Sequence, residues 1–333
     1  MSIEIINIYK GKIMAEEFLE THVWSIKQLF DYSYNVPVYQ RPYSWQTEQT
    51  ENLYYDICEA YKEHQSLDDN NKYLSGLYVG NIILYSQRLG EFDIIDGQQR
   101  IATFTLLILA LYAKSVELDS SMSDRIFIKL QAALWELDAS DMPRCDKCRL
   151  TLGGIDKEFF NRILDMAYNS PENIRQFITQ YHSVSQAEEN IKTNFITLYD
   201  YLTKDYKVAK DLLLFANFIL TRVYLIGIVP NGTEVKAFSI FESINSKGKK
   251  LEEIDLIKTY IFSKIKEKDH KVYLAKWGDL IINTKDDLYG YLKTYIRAYI
   301  KYYTQNISYL NFKTLDNIMC EVFNVSDVGD AFK

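Results

Sequence analysis

Phe92-Asp93-Ile94-Ile95-Asp96-Gly97-Gln98-Gln99-Arg100 runs without a break into Ile101-Ala102-Thr103-Phe104-Thr105-Leu106-Leu107-Ile108-Leu109-Ala110-Leu111. No other stretch constrains the fold as much. Its first part alternates and is rich in β-branched and aromatic residues, the pattern of a short buried strand. Its second part is an apolar run with no helix breaker, the pattern of a buried helix. The chain therefore passes from sheet to core helix through five polar or flexible residues, Asp96 to Arg100. An α+β fold follows, with a small mixed sheet and a large helical portion.

The polar junction has the outline of an anion site. The first N–H groups of a helix lack intrahelical partners, and the helix dipole is positive there. Gly97 lets backbone approach a ligand closely, and Arg100 carries a planar fork suited to phosphate. Asp96 would repel a bare phosphate, so it must hold a metal ion, orient Arg100 or position a water. A purely structural account suits the same residues: Asp96 as helix cap, Gly97 as a tight turn, and Gln98, Gln99 and Arg100 as a solvated first turn.

The remaining strands and helices follow from periodicity. Residues 25–30 read as a short helix capped by Ser25, and residues 47–64 as an amphipathic helix capped by Thr47. Residues 76–85 form a strand in which Gly80 marks a bulge or a close approach to the backbone, and a turn at Leu89-Gly90 returns the chain to the 92–95 strand. Residues 123–220 read as helical, with punctuation at Pro143, Gly153-Gly154 and Pro171. Residues 221–230 are a strand apolar enough to be buried on both faces and to rejoin the first sheet, with the 101–111 helix packed against it. A helix over 234–244, a Lys247, Lys249 and Lys250 patch, and helices from 266 to the end complete the chain.

Between the first helices lies Gln40-Arg41-Pro42-Tyr43-Ser44-Trp45, an amide, a guanidinium and two aromatic rings stiffened by proline. Such a loop can stack on a base or cage a cation. It can equally be a structural corner in which Tyr43 and Trp45 pack.

Composition narrows the function classes. With 333 residues the chain can bury a sizeable core. Tyr is abundant at 27 residues, against 13 Gly and 5 Pro, which favours an ordered helix-rich body. A net charge of −7 argues against a wholly basic nucleic-acid surface, while leaving room for a local patch. No signal-peptide pattern is present, and the 106–111 run is too short to span a bilayer, so a cytoplasmic protein without membrane attachment is expected. Cys145-Asp146-Lys147-Cys148 is a lone C-x-x-C, expected as an unligated loop pair. Completing a zinc site would need distant ligands such as His182 or Cys320.

The junction also carries a resemblance. Asp96-Gly97-Gln98-Gln99-Arg100 is similar to the signature of the N-terminal domain of GmrSD-type modification-dependent restriction endonucleases and of related SspE phosphorothioate-sensing proteins. Two further blocks match in order: Val36-Pro37-Val38-Tyr39-Gln40-Arg41-Pro42-Tyr43-Ser44-Trp45, and Phe241-Glu242-Ser243-Ile244-Asn245-Ser246-Lys247-Gly248-Lys249-Lys250-Leu251 with Asp255-Leu256-Ile257-Lys258. The resemblance implies a ParB/sulfiredoxin-like fold, nucleotide binding and hydrolysis, and defence against foreign DNA. In that reading residues 1–120 and 218–265 form the core, 121–217 a helical insertion, and 266–333 a helical C-terminal segment, with the family's nuclease domain absent or truncated.

The implied site assigns Asp96, Gln98, Gln99 and Arg100 to catalysis, with Asp96 also holding Mg²⁺. It assigns Gly97, Arg41, Gly80, Asn81, Thr103, Asn245 and Lys258 to a nucleoside triphosphate, GTP or ATP. Tyr39, Gln40, Arg41, Tyr43 and Trp45 would read modified DNA. One cleft should gather Arg41 and Tyr43, Gly80 and Asn81, the Asp96–Arg100 cluster, and Asn245 with Lys258. A nuclease domain or partner subunit would do the cutting, and a homo-oligomer is compatible with the sequence. The rival class is a non-enzymatic module that reads modified DNA through the 40–45 loop and binds phosphate at the motif. A P-loop ATPase is excluded, since no G-x-x-x-x-G-K-[ST] occurs. Sulfiredoxin-type redox chemistry is disfavoured, because the motif lacks a cysteine.

Overall fold

The computed structural model describes residues 19–231 apart from 39, 70, 89 and 120–124. The chain divides into two compact units, one of Met1–Pro37 with Pro42–Thr233 and one of Val38–Arg41 with Glu234–Lys333. The architecture below is that of the first unit. The expected helices over 234–244 and 266–333, the lysine patch, Cys320 and the whole 241–258 block lie outside the described residues.

The described elements open with β1 (Leu19–Ser25), α1 (Ile26–Leu29), β2 (Ser33–Asn35) and α2 (Thr47–Ser66). The hairpin β3 (Leu77–Arg88) and β4 (Glu91–Asp96) follows, and leads into α3 (Gln98–Leu118). Then come α4 (Arg125–Leu134), β5 (Trp135–Leu137), β6 (Pro143–Cys148), β7 (Leu150–Thr151), α5 (Lys157–Asn169), α6 (Ile174–Gln180), α7 (Gln186–Asp205), α8 (Ala209–Arg222) and β8 (Val223–Pro230). Six strands form one mixed sheet in the order β1-β8-β3-β4-β2-β7, and β5 with β6 forms a separate ribbon. The strand after the long helical stretch does rejoin the first sheet: β8 lies between β1, which it pairs antiparallel, and β3, which it pairs parallel. The fold is mixed α and β, as expected.

Local chemistry explains most element boundaries. Ser25 ends β1 and caps α1, its hydroxyl accepting from the Gln28 N–H at 3.3 Å while the Gln28 side chain accepts from the Ser25 N–H at 3.0 Å. Thr47 is not the cap of α2. It is the first helical residue, and the cap is Gln46, whose N–H donates to the Gln49 side chain at 2.8 Å. Two groups of strands escape the reading by periodicity. Residues 19–25 are too polar to read as a strand, yet they add an edge to β8. Residues 135–151 contain three short strands within a stretch read as helical. Cys145 and Cys148 thus lie on β6 and not in a loop, and strand alternation sends positions i and i+3 to opposite faces.

The core is one continuous apolar cluster centred on α3. Nearly every α3 residue from Gln98 to Val116 is buried, although only its middle is uniformly apolar. Its helical neighbours are chiefly α7, α4 and α8. As expected, the helix shares its core with the sheet, whose Ile82, Leu84, Ile94, Val223 and Leu225 belong to the same cluster. The helix also runs farther than its Leu-rich run suggests. Its 21 residues are long and apolar enough to cross a membrane, but 89% of the span is buried inside the fold, which is how a core helix satisfies such a surface.

Candidate functional site

The motif is built by a bulge on one strand and a left-handed residue on the next. In β3 the pairing with β8 slips between Tyr78 and Asn81, and Gly80 adopts φ +115°. What approaches its backbone is the Arg100 guanidinium. A Cβ at Gly80 would stand 3.0 Å from Cζ of Arg100, so only glycine leaves the side chain its place. The bulge also turns the Asn81 carbonyl toward the helix, where it accepts from Nη1 of Arg100 at 2.8 Å, and the Tyr78 hydroxyl donates to the Asn81 side-chain oxygen at 2.5 Å.

Gly97 ends β4 and caps α3 at φ +93°, with no side chain contributing to the cap. Its α-carbon packs on Ile82, since a Cβ there would meet Cγ2 of Ile82 at 2.5 Å. Asp96 is therefore the last strand residue and not the helix cap. Its carboxylate is close enough to favour the charged form of Arg100. Burial still pulls that guanidinium's pKa below its ordinary value, with Asp96 and Tyr78 opposing. Arg100 is thus partly desolvated, fixed by backbone and set beside the α3 N-terminus. That is the arrangement in which a charge acts strongly on an anion.

Gln99 faces another way. Its Oε1 accepts from the backbone N–H of Ser44 at 2.7 Å and of Trp45 at 3.3 Å, and its Nε2 donates to the Pro42 carbonyl at 3.1 Å. The amide is spent on the loop, which leaves it no role in orienting a water. Thr103 is wholly buried. Its hydroxyl bonds the Gln99 carbonyl at 2.8 Å and the Tyr43 hydroxyl at 2.8 Å, so it supports the loop and does not face a nucleotide. Tyr43, 3% exposed, also accepts from the Asn194 amide at 2.9 Å. Its ring is core and offers no face to a base. Trp45 is half-buried against the same core.

The structure therefore brings Gly80, Asn81, Asp96, Gly97 and Arg100 together at one site, and groups Gln99, Thr103, Tyr43 and Trp45 into the loop's support beside it. Gln98, 92% buried by its 8% exposure, sits at the first position of α3. Gln40 and Arg41 belong to the other unit of the chain. Tyr39, Asn245 and Lys258 lie outside the described residues. Missed by sequence reasoning were Tyr78, Asp156 and Asn194, which lack any motif and are recruited from β3, the start of α5 and α7.

A family model described as the GmrSD restriction endonuclease, N-terminal domain, matches residues 26–262. The chain belongs to this family. It is thereby a restriction-system component, and the motif at the head of α3 lies inside the matched span of this GmrSD N-terminal domain. Comparison with curated proteins gives no match.

A second concavity of the GmrSD domain, about 300 Å³, lies where β2, β4 and β6 meet, lined among others by Asn35, Glu91, Asp93, Glu136, Asp146 and Cys148. Its carboxylates give it the wrong sign for phosphate. Burial pushes the Cys148 thiol up to about 11, away from nucleophilic thiolate. Among the described residues no three His, Cys, Asp or Glu side chains converge as a metal-ligand set. Asp96 fits Mg²⁺ only in the form that ion commonly takes with nucleotides, one carboxylate with water and substrate phosphates supplying the rest.

Proposed function

We propose that this domain binds and slowly hydrolyses a nucleoside triphosphate, and that hydrolysis gates DNA cleavage by a nuclease of the same restriction system. The observation that carries the reading is the seat of Arg100: a guanidinium held over Gly80 and on the Asn81 carbonyl, beside a helix N-terminus with no side-chain cap. A group preorganised in this way stabilises charge that develops on a transferring phosphoryl without reorganising first. The polyphosphate would seat on the first N–H groups of α3, and the neutral amide of Gln98 is the group assigned to orient water. Mg²⁺, bound through Asp96 and the phosphates, would neutralise charge between them. Within the described unit the DNA-reading role assigned to the 40–45 segment falls to the half-buried Trp45, since Tyr43 is buried.

The test pairs two assays on wild type and Arg100→Ala at equal purity: phosphate release from GTP, ATP and CTP with Mg²⁺, and plasmid nicking. Turnover that is lost in the variant supports the reading. Turnover unchanged by Arg100→Ala removes the motif from the chemistry. Nicking by wild type without nucleotide overturns the gating role.

A further inference from the structure

The loop of residues 42–45 is held in an unusual way. Among the described residues, none of its backbone groups enters a backbone–backbone hydrogen bond of a turn or cap. Its shape is set by three side chains from three distant elements. Oδ2 of Asp156, before α5, accepts from the Tyr43 N–H at 2.8 Å. Nδ2 of Asn194, on α7, donates to the Trp45 carbonyl at 2.8 Å as well as to the Tyr43 hydroxyl. Gln99 takes the Ser44 and Trp45 N–H groups and gives to the Pro42 carbonyl. Asp156 and Asn194 are 2% and 0% exposed, and Gln99 is 6% exposed. Of the three, only Gln99 belongs to the turn that carries Gly97 and Arg100. Its side chain moves with that turn.

We propose that Gln99 is a positioning residue that couples the α3 N-terminal turn to the 42–45 loop, so that a nucleotide seated on the turn is felt in the loop. This rests on the nucleotide reading above. The physical argument is one of stiffness. A buried amide making three hydrogen bonds to one short segment cannot shift without either carrying that segment along or leaving buried polar groups unpaired, and the second is costly. Asp156 and Asn194 fix the far side of the loop, so displacement at Gln99 is converted into a change of loop shape and not a rigid slide.

Hydrogen exchange of the full chain tests both halves. In wild type the Ser44 and Trp45 amides should be protected. Gln99→Met, similar in size but without polar atoms, should speed their exchange roughly five- to tenfold, the scale of one hydrogen bond. Gln99→Glu keeps the acceptor and should restore part of the protection. Unprotected amides in wild type overturn the clamp even if Gln99→Met does not fold. The second arm adds GMP-PNP or AMP-PNP with Mg²⁺, at saturation set by equilibrium dialysis. Exchange at Ser44 and Trp45 should change in wild type and in Gln99→Glu, and should not change in Gln99→Met. A bound analogue that leaves these amides unaltered in wild type overturns the coupling alone. An analogue that does not bind wild type sinks the nucleotide reading and the coupling with it, while the first arm still decides the clamp.

Discussion

The two ends of α3 solve the same problem in opposite ways. At its C-terminal end Lys114, 3% exposed, is paired with Glu117 at 2.6 Å. Glu117 also accepts from the Tyr199 hydroxyl, and the ammonium lies 5.7 Å from the Tyr199 ring centroid. Charges there neutralise one another in a closed set. At the N-terminal end the polar side chains are held mostly by backbone of other elements: Arg100 by the Asn81 carbonyl, Gln99 by Pro42, Ser44 and Trp45. A closed ionic network stabilises and is finished. A cation seated on backbone keeps its remaining donors and field for something else, which is the physical difference between a structural and a functional polar cluster.

Substitutions at the two ends should separate these roles. Arg100→Ala should lower phosphate release by about 2–4 kcal/mol in barrier, roughly 30- to 1000-fold, with a much smaller change in melting temperature. If stability falls as far as activity, the N-terminal end is structural after all. Glu117→Gln should do the reverse, costing under about 1 kcal/mol of stability, since Glu117 is itself half-exposed, at unchanged turnover. Adding Lys114→Met should recover most of that loss, because an apolar pair replaces a broken ionic one; calorimetry of the single and double variants reads it.

Gly80→Ala should cost about 1–2 kcal/mol in stability, from the left-handed backbone and from displacing the guanidinium, and should also lower turnover. Normal turnover in that variant would show that the Arg100 seat is not needed. The smallest expected effect is on acid stability. Burial raises the Glu117 pKa, but hydrogen bonds from Lys114 and Tyr199 outweigh it and hold the carboxyl below the ordinary 4.5. A depressed carboxylate contributes stability above its unfolded pKa and loses it as pH falls through the folded value. Wild type should therefore lose, below about pH 4.5, an increment of less than about 1 kcal/mol that Glu117→Gln does not lose.

Buried Asp156 makes the opposite case. Burial raises its pKa, the Tyr43 N–H opposes, and Glu188 adds to the rise. The stability linked to its protonated form is present at low pH and is lost as pH rises through the raised folded value. The linkage is global and is readable as an acid-side gain in wild-type melting temperature that Asp156→Asn lacks, while the Tyr43 N–H itself favours the ionised carboxylate.

Periodicity alone was enough to find the β3–β4 hairpin, the strand that returns at β8, and the junction of β4 with α3, because each is a run whose apolar pattern has one stable answer. Gly80 was legible as a bulge or a close approach, and proved to be both. The 19–25 and 135–151 strands were illegible: their residues are polar or short, and only the partner strands supply the hydrogen bonds that make them strands. The same limit hid the role of Gln99, where residue type suggested a catalytic amide, whereas the structural corner offered for Tyr43 is what the fold contains.

The sequence by itself determined that a glycine, an arginine and a helix N-terminus would meet after a buried strand, since those relations are local and set by a few consecutive dihedral angles. Only the tertiary structure decided which way each side chain of that first turn would face. Successive helical residues diverge by about 100°. What each then meets, the β3 bulge for Arg100 or the 42–45 loop for Gln99, is supplied by chain far away in sequence.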